Sequence, residues 1–154
     1  MNEPGFDAQK AHRFFSAGCF NGAWKLIDKA DRTREQDERM LLAAMASLWH
    51  WTHRDDVAAA NLSVGYWQVS RIHAVLGRAD EARRYGVLSL DAAREGEPDP
   101  FTLGYAHEAL ARAEALAGNA TTAAEHFVEA RKAAEAVTDE ESKQWLLDDL
   151  ATIA

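Results

Sequence analysis

His50 and His53 stand three residues apart in the stretch Leu48-Trp49-His50-Trp51-Thr52-His53-Arg54-Asp55-Asp56. On a helix, that spacing allows two imidazoles to share one metal ion, with Asp55 or Asp56 as an oxygen ligand. The chemistry on offer would be metal-dependent hydrolysis. The pattern departs from the best-marked hydrolytic zinc motif, whose histidines are four apart with a glutamate base after the first; here Trp51 takes the glutamate's place. The remaining histidines, His12, His73, His107 and His126, are scattered, and no other pair repeats the spacing. The competing reading is the aromatic end of a packed helix, with His50 satisfied by a carbonyl or carboxylate. It is the stronger of the two, so neither a metal nor any other cofactor is assigned.

A second constellation mixes aromatic and charged residues. Trp67 and Arg71 are four apart, hence on one helix face, where a guanidinium can lie across an indole. Tyr105, Glu108, Arg112 and Ala115 form another stripe, with Glu108 preceding Arg112 in the order that favours an ion pair. Facing inward, such charges must pair or bind something, because a buried unpaired charge is heavily penalised. Two readings stay open. Arg71, Glu108 and Arg112 knit adjacent helices together, or, with Trp67, Tyr105, His50 and His73, they line a pocket for an anionic or peptide group. No serine-histidine-acid or cysteine-histidine arrangement and no phosphate-binding glycine loop is legible, so no catalytic residue is assigned. The single cysteine, Cys19, excludes an internal disulfide and is expected to pack as a small apolar side chain.

The elements that position these residues are helices. Apolar residues recur at three-to-four spacing almost throughout, and sustained alternation is lacking. The fold class is therefore all-α, predicted as helices near 7–17, 20–30, 34–53, 57–76, 79–95, 101–117, 120–137 and 139–152. Gly18, Gly77 and Gly118 are placed as helix stops, and Asn119 as a cap. Gly96-Glu97-Pro98-Asp99-Pro100 is a loop, since two prolines exclude a continuous helix. Met40 to Trp51 is apolar on every side, which predicts a central helix covered on both sides. Thr138 and Glu141 have capping-box spacing for the last helix, which closes the end of the stack with Leu146, Leu150 and Ile153. Trp24 and Trp145 are expected as core or end-cap residues.

A chain of 154 residues suits one domain, taken as 1–154. The net charge of −8 argues against nucleic acid and anionic membrane surfaces, both of which demand a basic face. Alternating signs over Asp31 to Arg39 suggest a solvated helix face with local ion pairs. No stretch is long and apolar enough to span a bilayer, and Met1-Asn2-Glu3-Pro4-Gly5 opens nothing like an export signal, which points to the cytoplasm.

Aligning the glycines exposes a repeat. Leu110-Ala111, Gly118, Ala123, Phe127 and Ala130 fall at the spacings of a tetratricopeptide unit, and this region resembles that family. Gly77, with Tyr66, Val69 and Ser70 before it and Ala82 after it, is a partial match in which Gly86 replaces the expected aromatic. Gly18, with Ala11, Phe14, Ala23, Ile27 and Ala30, is another. Both glycine intervals exceed the family period of about 34 residues, so the array is degenerate. The whole chain is also similar to a set of uncharacterised bacterial tetratricopeptide-like proteins. The resemblance implies a superhelix of antiparallel helices whose first-position helices line a groove for a peptide. The expected function is thus a non-enzymatic interaction module for a peptide or protein partner, with a homodimer as a further possibility. The alternative is a sensor of a small acidic metabolite, and the outsider is a metal-dependent enzyme at His50 and His53.

Overall fold

The three-to-four periodicity becomes seven helices, with no strand among the described residues: α1 Ala8–Ile27, α2 Arg34–Thr52, α3 Ala59–Val75, α4 Ala79–Arg94, α5 Pro100–Leu116, α6 Ala120–Ala136 and α7 Glu140–Ala151. The computed structural model describes residues 5–153; residues 1–4, the start of the stretch read against an export signal, and residue 154 lie outside the described residues. Among those described, no helix is long and apolar enough to cross a membrane.

Most boundaries follow from local chemistry. Asp7, Thr33, Asp99 and Asp139 each accept a backbone N–H with their side chain at a helix start, and Thr33 forms a reciprocal box with Gln36. Pro100 opens α5, where its missing N–H is no loss. The loop over 96–99 and the stops at Gly77 and Gly118 stand as expected, the two stop glycines at φ of 74° and 80°. Gly18 does not stop a helix. The two helices expected over 7–30 are the single α1, because Gly18 stays helical with open space around it and costs only about 1 kcal/mol of propensity. Two caps also differ from expectation. The α7 cap is Asp139, one residue later than Thr138, and Asn119 turns its amide to Glu114 Oε2 instead of capping α6.

The charged run over 31–39 is not simply a solvated face. Arg32 donates Nη1 to the carbonyls of Leu26 and Ile27 at 3.2 and 3.1 Å and Nε to Asp37 at 2.7 Å. A guanidinium thus closes the C-terminus of α1, where the helix dipole is negative, and ties it to the start of α2.

Consecutive helices pack as hairpins, α1 on α2, α3 on α4 and α5 on α6. Helices α1, α3, α5 and α7 also touch in turn, whereas α2, α4 and α6 do not touch one another, so the odd-numbered helices form an inner row. Small polar side chains allow close approach within hairpins. Ser63 and Ser89 each donate to the other's carbonyl, at 2.8 and 2.9 Å, and Ser47 donates to the carbonyl of Ser16 at 2.7 Å. The buried apolar residues fall into three clusters: Met40, Leu48, Val69 and Ile72 join α2 to α3, Leu90 and Leu110 join α4 to α5, and Ala130, Leu146 and Leu150 join α6 to α7. Helix α2, expected to be covered on both sides, is not. Leu42, Met45 and Trp49 are exposed, because α2 lies in the outer row and packs only on α1 and α3.

Gly104 shows how tight the inner row is. A Cβ there would overlap Cδ2 of Leu146, which is itself fully buried. We expect Gly104→Ala to lower the unfolding free energy by about 1–2 kcal/mol, overpacking outweighing the gain in helix propensity. Gly18→Ala, with nothing within 4 Å, should instead raise it by about 0.5–1 kcal/mol. Urea titration of the two variants measures both signs at once.

Candidate functional site

The inner row encloses a groove of roughly 500 Å³, with walls from α1, α3, α5 and α7. Its floor is a chain of rings. Phe20 and Trp24 from α1 meet edge-on, Trp24 lies 5.4 Å from Trp67 of α3, Trp67 meets Tyr105 of α5 edge-on at 4.8 Å, and Tyr105 meets Phe101 at 5.0 Å. Phe20 and Trp24 on α1 and Phe101 and Tyr105 on α5 are each four residues apart, so each pair shares the helix face that lines the groove. Trp145 and Asp148 of α7 stand on the opposite wall. Trp67 is 8% exposed and Trp145 53%, so the first is fixed within the packing and the second stands free.

Beside the rings lies an ionic network that binds three helices. Glu108, wholly buried on α5, accepts from Arg71 Nη1 at 2.9 Å and Arg112 Nε at 2.8 Å on one carboxylate oxygen, and from the indole N–H of Trp67 at 2.9 Å on the other. Arg71 gives its second amino group to Asp149 of α7 at 2.8 Å, and the Tyr105 hydroxyl donates to the other oxygen of Asp149 at 2.9 Å. Arg112 reaches the carbonyl of Asp149 and the hydroxyl of Thr152 at 2.9 and 2.7 Å. Two guanidiniums face two carboxylates, so the network is neutral as a unit. Burial and the Asp149 carboxylate push the Tyr105 phenol well above its usual range, which keeps it a protonated donor. Glu108 thus engages both oxygens with three donors from α3 and α5. The α3–α5–α7 surface continues past the network to a smaller hollow, of roughly 390 Å³, between Val75, Leu116 and Ile153.

No family model, curated protein or solved structure matches this chain.

Of the seven residues singled out from the sequence, the structure brings five together: Trp67, Arg71, Tyr105, Glu108 and Arg112. Arg71 does not lie across the Trp67 indole. The two share Glu108 as acceptor, which orients both more strictly than stacking would. His50 and His73 are elsewhere. His50 lies at the α1–α2 contact with its Nδ1 2.9 Å from Nδ1 of His12, so its partner is another imidazole and not a carbonyl or carboxylate. Burial and the nearby His12 and His53 lower its pKa. His73 is buried between α3 and α4, its ring 5.6 Å from Tyr85 and nearly parallel, and burial lowers its pKa as well.

The stretch from Leu48 to Asp56 is a helix end tied down by arginines. His53 donates its Nδ1–H to the carbonyl of Trp49 at 2.8 Å, and Arg54 lies 3.7 Å over the Trp51 ring while gripping Asp56 with two bonds of 2.7 Å. That grip pulls the Asp56 carboxyl down to about 2. Arg13 pairs with Asp55, so both aspartates offered as metal ligands are already engaged. Among the described residues, no group of three or more histidine, cysteine, aspartate or glutamate side chains is placed to hold a metal ion. Cys19 is half-buried.

Phe20, Trp24, Phe101, Trp145 and Asp148 were not singled out as groove residues from the sequence. A signal existed for three of them: Phe20 and Trp24 lie four apart on one helix face, and Phe101 lies four residues before Tyr105. Trp145 gives none, being one residue off the apolar stripe of α7.

Proposed function

We propose that the protein is a non-enzymatic binding module of tetratricopeptide-like architecture that holds a peptide segment of a partner protein in the groove between α1, α3, α5 and α7. The observation that carries this reading is the open aromatic groove itself, in which a half-exposed Trp145 faces a floor of rings fixed by the Glu108 network. A rigid aromatic floor loses little side-chain entropy on binding, and such anchors carry most of the energy in peptide and protein interfaces. The family resemblance agrees, since it assigns the groove to the first helix of each pair, and those are the odd-numbered helices. The alternative of a small acidic metabolite has less support. It requires arginines with free donors, whereas Arg71 and Arg112 are committed to Glu108, Asp149 and Thr152.

Selection from a random peptide library against the immobilised chain tests the proposal. Peptides should be enriched that lose about tenfold or more in affinity for the Trp145→Ala variant. If every enriched peptide binds that variant as well as the wild type, the groove is not the site.

A further inference from the structure

We infer that the groove recognises a cationic side chain, an arginine or lysine of the bound peptide next to an apolar residue; this rests on the peptide-binding reading above. Three observations point the same way. First, six of the described lining residues are aromatic, and the face of a ring carries the negative part of its quadrupole and attracts a cation. Second, the charges that line the groove are the carboxylates of Asp148 and Asp149, and no lysine or arginine is among the described lining residues. Third, these two carboxylates are not equivalent. Asp149 is neutralised within the network by Arg71, whereas Asp148 is exposed and, among the described residues, takes only an uncharged donor, Gln144 Nε2 at 2.7 Å. The network balances itself and leaves Asp148 as the uncompensated charge at the rim.

Geometry places that charge usefully. Asp148 stands three residues from Trp145 on α7, one turn apart on the same wall. A guanidinium or ammonium held by Asp148 would therefore present its apolar stem to the Trp145 indole and its neighbouring residue to the floor of Trp24, Trp67 and Tyr105. The chain's net charge of −8 adds a long-range attraction for a basic partner. An acidic peptide would meet the opposite field and find no free arginine.

The test uses the peptides enriched on the full chain that depend on Trp145. Each is resynthesised with its arginine or lysine replaced by glutamine, and both forms are titrated against wild type and Asp148→Asn. Those peptides should be rich in basic residues adjacent to apolar ones. The glutamine change should weaken binding to wild type by about tenfold, and to Asp148→Asn by about twofold at most. Raising the salt should erase much of the difference. A thermal melt of Asp148→Asn matching the wild type establishes that the variant is folded, and Asp148→Lys, which should repel the same peptides, serves as a second variant. Trp145-dependent peptides with no basic residue, or a glutamine effect of equal size on Asp148→Asn, would overturn the inference while leaving the peptide groove standing. A library without any Trp145-dependent binder sinks both.

Discussion

Glu108→Ala is expected to destabilise the protein by about 3–5 kcal/mol, the range for breaking one partner out of a buried ion network. The carboxylate is fully buried and serves Arg71, Arg112 and the Trp67 indole at once. Its removal leaves two guanidiniums, 12% and 17% exposed, short of their shared counter-charge, and an indole N–H without an acceptor. For a chain of this length the loss corresponds to roughly 10 °C or more in Tm. Differential scanning calorimetry measures it directly, and a change below about 1 kcal/mol would mean that the network holds nothing together. A quadruple replacement of Arg71, Glu108, Arg112 and Asp149 by apolar residues of similar size should restore much of the loss, because a buried ion cluster as a whole contributes little over apolar packing.

The second large effect follows from pH. His107 of α5 and His126 of α6 bring their Nδ1 atoms to 3.1 Å. Burial, then the neighbouring His126 and Arg94, hold His107 down to about 4, with Glu129 opposing; burial lowers His126 too. A histidine whose folded pKa lies below its unfolded value binds fewer protons when folded, so stability rises with pH across the interval between the two values. Stability should therefore be fully present above about pH 6.5 and lost as the pH falls toward 4, by up to about 3 kcal/mol from His107 alone. The carboxylate of Glu114, held low by Arg83 and Asn119, contributes its own loss only at more acidic pH. Urea titrations at pH 7.5, 6 and 5 should show the decline in wild type and a flatter profile in His107→Gln. Parallel profiles would remove the pair from the account.

The helices were legible in the sequence because each carries a periodic apolar face and most end at a glycine or a capping side chain. Gly18 lies within α1 although it carries the residue type of a helix stop. A glycine stops a helix only where the chain beyond it must change direction, and nothing within residues 15–22 signals whether it does. The core of the ionic site was legible for a similar reason, since Glu108 and Arg112 sit at ion-pair spacing on one helix. Its completion by Asp149 was not, because that contact depends on where α7 docks. Likewise Trp24 and Trp145 look like ordinary core indoles until the inner row assembles, and Trp49 looks buried until α2 proves to be an outer helix. His73 shares α3 with Trp67, which suggests a place in the groove, but it faces α4 on another side of the helix.

The bond between Arg71 and Asp149 joins residues 78 positions apart, whereas the hairpins close through short connections. Closing the larger loop costs more chain entropy, so hairpin contacts form ahead of it during folding. The groove is for that reason expected to form late: three hairpins docked side by side have the ring floor but no wall opposite it. The same ordering runs in reverse in the native state. Release of α7 would remove Trp145 and Asp148 from the groove, so occupancy of the groove and docking of α7 are expected to reinforce each other.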